Sequence, residues 1–376
     1  MRIVITGGGT GGHILPGLAL WRYIEKRHPG AKLLYLGSER GLEKGIVTRA
    51  GLPFATVEAA GLKRQLNPKA LPETLRTFFI TYRGYRQALR RLRTFDPDVV
   101  VGTGGYVTLP VVFAAHRLGI PSVIWEANAR PGLTNLLCAR KADAVAISFA
   151  DSRKWFTKAR KVVFTGNPRA SEVVKVSSDD LRHARDKYGV DVKRKLIVVY
   201  AGSRGAETVN RVMVDWIPSF HARPDWQLFY VTGEAHYDSV MASIPNLPSN
   251  VRLFPFIDDM PSLLPQADVV VTRAGGATLA EICALGLASI LIPSPYVTAN
   301  HQEENAMRLV EQGAAVMVRE SELSAGRLGE EVAKILGQGA GLTLRENARR
   351  LATPRAVEDL YGLVMDARQG RGRLHQ

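Results

Sequence analysis

Short, wholly apolar runs punctuate the chain, and each passes through glycines into a stretch of helical periodicity. Four stand out: Ile3-Val-Ile5, Val99-Val-Val101, Leu196-Ile-Val-Val199 and Val269-Val-Val271. Runs of this length without polar alternation predict strands buried on both faces, as in a parallel sheet. The turns that follow are Gly7-Gly-Gly-Thr10-Gly11-Gly12-His13, Gly102-Thr-Gly104-Gly105-Tyr106, Ala201-Gly-Ser203-Arg204-Gly205 and Arg273-Ala-Gly-Gly-Ala-Thr278. Further strands are predicted at 33–37, 122–125, 228–232, 251–254 and 288–293. Two strand-to-glycine units fall in each half, too far apart for a solenoid repeat. They predict an α/β protein of two doubly wound domains facing each other across a cleft. The first domain is expected over 1–165 and the second over 166–343. The remainder, 344–376, is expected to form one long helix over 344–367, packing back across the domains, and then a frayed basic tail.

Composition narrows the class. A chain of 376 residues with 46% hydrophobic content can bury two sizeable cores. A formal charge of +15 points to nucleic acid, an anionic membrane or phosphorylated substrates as partners. Basic strands with interleaved aromatics, which would favour nucleic acid, are not found. The two cysteines, Cys138 and Cys283, sit in apolar helical patterns and read as core thiols in a reducing compartment. The N-terminus lacks a signal-peptide layout, and the uncharged run 99–115 is broken by Gly102, Gly104, Gly105 and Pro110.

Chemistry concentrates at the glycine turns. In the stretch 268–305, a strand, a glycine pair and a helix place backbone N–H groups at a helix N-terminus, where a phosphate is welcome. Glu281 shares a helix face with Thr278 and is spaced to accept from a sugar diol beside that phosphate. His301, Gln302 and Asn305 follow the next strand. The first turn also satisfies G-x-G-x-x-G at Gly7, Gly9 and Gly12, with Glu39 after the next strand, so a dinucleotide site is a rival. His13 is an unusual residue at such a mouth; it suits a general base, a phosphate donor or a helix cap. Glu126 and Asn128 end a strand at the edge where such sheets carry ligands, whereas Asp96 and Asp98 precede a strand and read as a turn.

Between Glu73 and Asp96 the chain holds six arginines and no acid, with Leu71, Leu75, Phe78, Phe79 and Tyr82 at helical spacing. Such a stripe suits an interfacial helix on anionic lipid or, alternatively, a core-facing helix with a solvated basic side.

Taken together, Gly8-Gly-Thr10-Gly-Gly-His13, Gly104-Gly105-Tyr106, Glu126-Ala-Asn128, Gly166-Asn-Pro168, Gly202-Ser203-Arg204-Gly205-Ala206 and Arg273-Ala-Gly-Gly-Ala-Thr278-Leu-Ala-Glu281 resemble the MurG family over nearly the whole chain. The loop Pro-Ser-Pro-Tyr-Val-Thr298-Ala-Asn-His301-Gln302 resembles its Gram-positive branch most. The resemblance implies a GT-B fold and an inverting transfer of GlcNAc from UDP-GlcNAc to lipid I, giving lipid II for peptidoglycan. It implies a peripheral enzyme on the cytoplasmic face of the cell membrane, with no dedicated cofactor and a divalent cation optional. By resemblance, Ser203 faces the donor diphosphate, Ile257 the uracil, Glu281 the ribose, Thr278 a phosphate and Gln302 the sugar hydroxyls. Thr10, Gly11, Gly12 and Asn128 match sugar-nucleotide contacts from the first half. His13 is the first candidate base and Glu126 the second, and Arg204 is expected to meet leaving-group charge. Gly104, Gly105 and Tyr106 are expected to help cradle the acceptor diphosphate, and Leu75, Phe79, Tyr82, Arg83 and Arg86 to meet the membrane. Arg169 stands one position before the arginine of some relatives, with Ala170 in that arginine's place. Alternatives are a related UDP-sugar transferase with another acceptor, an NAD(P)-dependent oxidoreductase, and a basic scaffold without catalysis.

Overall fold

A computed structural model describes all residues except 40, 62–70, 203–204, 298–299, 338 and 373–376. Two parallel sheets organise it. The first contains β1 (Arg2–Thr6), β2 (Lys32–Gly37), β3 (Phe54–Thr56), β4 (Val99–Gly102), β5 (Ser122–Glu126), β6 (Ala144–Ile147) and β7 (Val162–Phe164), in the order β3-β2-β1-β4-β5-β6-β7. The second contains β8 (Lys195–Tyr200), β9 (Trp226–Val231), β10 (Val251–Phe254), β11 (Val269–Thr272), β12 (Ser289–Leu291) and β13 (Val316–Met317), in the order β10-β9-β8-β11-β12-β13. In both orders the chain reverses direction across the sheet beside its first strand, and ligands of such sheets bind outside the strand ends at that reversal.

The apolar runs form strands because both faces of each sheet are covered. On one face, Ile3 and Ile5 pack with Ile14, Leu18 and Trp21 of helix Gly11–Arg27 and with Leu360, Leu363 and Val364 of helix Ala356–Gly372. On the other, Val4, Leu36 and Val100 meet Ala88, Leu89 and Leu92 of helix Leu71–Phe95. In the second sheet Ile197, Val199, Leu228, Val269 and Val271 share a core with Val209, Met213 and Trp216 of helix Glu207–Trp216. Each buried Leu or Ile contributes about 1.5–3 kcal/mol, so tertiary burial outweighs local propensity in setting these elements.

Two compact units result: Met1–Ser171 together with Arg355–Gln376, and Glu172–Pro354. The single helix expected over 344–367 is corrected to two, Ala340–Arg350 and Ala356–Gly372. Pro354 lies between them, lacking the N–H that a continuous helix needs. The second of these helices belongs to the first unit, where the Val357 N–H donates to Ser171 Oγ at 3.1 Å.

Candidate active site

In the first unit two glycine loops interlock at the C-terminal ends of β1 and β4. The Gly8 N–H donates to Gly104 O at 3.1 Å. A Cβ on Gly105 would stand 2.2 Å from Gly8 O, and Gly105 has φ +81°, so only glycine fits. Gly104, with φ +106°, lies against the imidazole: its Cβ would be 2.7 Å from His13 Cδ2. Much of the demand for glycine at Gly104 and Gly105 thus comes from loop-on-loop packing, and Tyr106 is half-buried beside Gly9.

His13 sits in the first turn of helix Gly11–Arg27, whose start takes in Gly11 and Gly12. Its Nδ1 lies 3.0 Å from Gly8 O and 3.3 Å from Thr10 Oγ1. A carbonyl can only accept, so the Gly8 contact calls for a proton on Nδ1, and in the neutral ring the lone pair then lies on Nε2. Thr103 Oγ1 donates to His13 O at 2.6 Å and braces the turn. Thr10 is exposed and offers no side-chain cap to the helix, whose first turn also lacks an acid. The terminus formed by Thr10, Gly11 and Gly12 therefore has the electrostatics of an anion site.

Glu126 is placed differently from an open base. It is 2% exposed, and both oxygens accept within its own loop: Oε1 from Asn128 N and Nδ2 at 2.9 and 3.1 Å, Oε2 from Gly132 N and Asn135 Nδ2 at 3.1 and 2.8 Å. Burial pushes its carboxyl above the usual range, against the lowering pull of these donors. A carboxylate saturated by four donors is suited to shaping the loop 126–135 and to holding Asn128 in place. Asp96 and Asp98 tie the Arg2 side chain and N–H at 2.6 and 2.7 Å, on the opposite edge of the sheet. Glu39 is exposed, and the acid that turns back beneath the first loop is Glu43, whose Oε2 accepts from Gly9 N–H at 3.2 Å. The Gly8 and Gly9 N–H groups are thus both engaged by the protein.

In the second unit, helix Gly276–Leu285 begins at Gly275 with no side-chain cap and no acid in its first turn. Thr278 stands in that turn and Glu281 lies half-buried one turn on. The buried Tyr200 phenol, at the end of β8, is pushed far above its ordinary range by burial first and by the charge of Glu281 second. Asn305 is fully buried and donates from Nδ2 to Ala274 O at 3.1 Å, fixing the turn before the helix. A pocket of about 390 Å³ is lined by Gly205, Arg273, Ser294, Tyr296, Gln302 and Glu320, among others. Gln302 Oε1 accepts from Ser294 N–H at 2.9 Å, which orients its amide. Arg273 and Glu320 form an ion pair of 2.6 Å, 11% and 7% exposed, and Arg273 also donates to Ile292 O. Ile257 follows β10 but is 3% exposed, its side chain in the core. Ser203 and Arg204 lie outside the described residues.

Helix Leu71–Phe95 divides along its length. Ala88, Leu89 and Leu92 are core, whereas Leu75, Phe78, Phe79 and Tyr82 are 47–67% exposed. Gly84 marks the change: a Cβ there would lie 1.7 Å from Glu58 O, so glycine lets the helix press on that backbone. Arg83 pairs with Glu58 at 3.0 Å, and Arg86 lies 3.4 Å from Tyr82 Oη.

Glutamates 43 and 320 escaped the sequence reading. Each lies in a charged stretch with no periodic or motif signal, and only the fold turns it inward.

Two parallel-sheet units, each opening an uncapped helix terminus at the strand ends, suit the binding of phosphorylated ligands. The chain belongs to glycosyltransferase family 28: its N-terminal domain model matches residues 3–147 and its C-terminal domain model residues 196–359. It is 46% identical, over 96% of its length and 97% of the relative's, to the UDP-N-acetylglucosamine--N-acetylmuramyl-(pentapeptide) pyrophosphoryl-undecaprenol N-acetylglucosamine transferase of Exiguobacterium sibiricum. The protein of the same name from Bacillus subtilis is 42% identical over 98% of this chain and 100% of its own. Among solved structures, Acinetobacter baumannii MurG matches with a TM-score of 0.76 at 26% identity, covering 97% of this chain and 99% of that one. The calicheamicin glycosyltransferase CalG4, at 16% identity and TM-score 0.67 over 100% of this chain and 98% of its own, shares the fold. The fold is therefore GT-B.

Proposed function

We propose that this chain transfers N-acetylglucosamine from UDP-GlcNAc to lipid I, undecaprenyl-diphospho-N-acetylmuramoyl-pentapeptide, making lipid II for peptidoglycan. The carrying observation is its 42–46% identity, over nearly full length, with transferases of that name. The donor is assigned to the second unit. The uncapped N-terminus of helix Gly276–Leu285, with Thr278, takes phosphate; Glu281 accepts from the ribose hydroxyls; the Gln302 amide meets the sugar. The Ile257 main chain, rather than its buried side chain, is the group available to the uracil.

The reaction is a single displacement at the anomeric carbon. The acceptor hydroxyl attacks as the bond to the UDP oxygen breaks, inverting the α-linked donor to a β-linked product. His13 Nε2 takes the hydroxyl proton, and the donor loop's N–H groups and helix dipole stabilise the departing UDP. Glu126 holds the loop that carries Asn128. The N-terminus at Thr10, Gly11 and Gly12 and the adjoining turn Gly104, Gly105 and Tyr106 form the acceptor side.

The acceptor's lipid calls for a membrane surface. Leu75, Phe79 and Tyr82, with Arg83 and Arg86, are assigned to anionic lipid on the cytoplasmic face, making the protein peripheral. No helix among the described residues is long and apolar enough to cross a membrane.

The test is transfer of radiolabelled GlcNAc from UDP-GlcNAc to lipid I, with UDP-glucose in parallel. Lipid II formed selectively from the GlcNAc donor is expected. Donor binding without transfer to lipid I would move the reading to another acceptor.

A further inference from the structure

Beneath the loop that carries His13 lies a buried carboxylate that the mechanism above leaves unused. Glu43, in the first turn of helix Leu42–Arg49, has no exposed surface. Its Oε1 accepts from the Ser38 N–H at 2.7 Å and from the Ser38 hydroxyl, and its Oε2 from the Gly9 N–H at 3.2 Å. The surrounding glycines are fitted to it. A Cβ on Gly8, Gly37 or Gly41 would come within 2.5 Å of a Glu43 side-chain atom. The carboxylate thus grips the peptide that joins Gly8 to Gly9. The carbonyl of that same peptide, Gly8 O, is the acceptor 3.0 Å from His13 Nδ1.

A negative charge under a glycine loop is costly if the loop's work is to bind an anion at the same N–H groups. It is well suited to making the loop rigid, because a carboxylate only accepts and a hydrogen bond to a charged group is stronger than a neutral one. We infer that Glu43 is a positioning residue for the transfer, acting through the Gly8–Gly9 peptide to hold the His13 imidazole with its Nε2 lone pair toward the acceptor hydroxyl. The inference rests on His13 being the base. It makes the peptide between Gly8 and Gly9 a two-sided clamp: its N–H is held by Glu43 and its C=O orders the imidazole.

Glu43→Gln keeps the shape and separates the two sides of the clamp. The Gln carbonyl can still accept from Ser38, while its NH2 would meet the Gly9 N–H donor to donor. Single-turnover and steady-state transfer would be measured for wild type, E43Q, H13A and the double variant, with thermal unfolding as the check on folding. The expected result for E43Q is a kcat lower by about tenfold. Its KM for UDP-GlcNAc should stay within about twofold of wild type, since the proposed donor groups are elsewhere, and on the H13A background it should cost less than about a further twofold. Wild-type kcat in E43Q alongside a strongly impaired H13A would overturn the role of Glu43 alone. A tenfold loss that persists in the double variant would do the same, since Glu43 would then act independently of His13. If H13A itself turned over like wild type, the base assignment would fall and this inference with it. Should E43Q not fold, E43D, which keeps the charge but shortens its reach to Gly9, must show the same split between kcat and KM.

Discussion

The two glycine turns that open the units share a strand–loop–helix plan and differ in where their donors go. In the first, Gly8 and Gly9 donate to Gly104 O and Glu43, so the loop is closed on the protein and its side-chain product is an ordered His13. In the second, helix Gly276–Leu285 opens on Gly275 with neither a cap nor a first-turn acid, and Asn305 fixes the turn from behind through Ala274 O. Both turns lead into a helix terminus without a side-chain cap or a first-turn acid, but in the first the glycine N–H groups ahead of that terminus are spent on ordering a titratable ring. The contrast shows that a glycine motif specifies backbone freedom, while the neighbours decide what that freedom is used for.

Four measurements test the two turns and the surfaces that serve them. The largest effect is expected at the closed turn: His13→Ala should lower single-turnover transfer by roughly 10²–10⁴-fold, the range of general base catalysis, with UDP binding retained. A residual rate near wild type would remove the ring's purpose. At the apolar face that serves the same unit, the combined change of Leu75, Phe79 and Tyr82 to Ser should weaken partitioning onto anionic vesicles by about 100-fold. Unchanged partitioning would leave the exposed stripe without a membrane role.

At the open turn, Glu281→Ala should raise the Kd for UDP by about tenfold, the loss of hydrogen bonds to a charged group. The sharper readout is 2′-deoxy-UDP: wild type should discriminate against it and the variant should not. Equal discrimination by both would place the ribose elsewhere. The smallest effect concerns stability. The Glu126 carboxyl is held above its ordinary pKa by burial, so the folded protein binds its proton more tightly than the unfolded chain. The resulting stabilisation is full below the usual carboxylate pKa and is lost as pH rises through the raised folded value. Denaturant unfolding of wild type and E126Q at stepped pH should therefore show the wild-type advantage shrinking as pH rises; an advantage that grew with pH would mean that the four loop donors outweigh burial.

The legible part of this protein was its periodicity and its glycines. Val99-Val-Val101 and Val269-Val-Val271 could be read as strands because burial on both sheet faces leaves no polar alternation, and each does form a strand. Pro354 interrupted the helix expected over 344–367 where proline chemistry requires it, a signal present in the chain and outweighed by the apolar pattern on either side. Helix Leu71–Phe95 was readable as a helix, but whether its apolar stripe faced core or solvent was not. Periodicity reports a face, and only the packing at Gly84 against Glu58 shows where that face leaves the body.

Local conformational preference and residue order are enough to read the alternation of strand and helix, the glycine turns at strand ends and the family. The surroundings of each carboxylate come instead from the folded chain. Glu126 ends an apolar strand and Glu43 opens a short helix; the fold surrounds the first with four donors from its own loop and sets the second beneath Gly9. A buried carboxylate must find donors or lose its charge; those of Glu126 come from the loop that follows its own strand, whereas the Gly9 N–H is brought to Glu43 by the fold from 34 residues away.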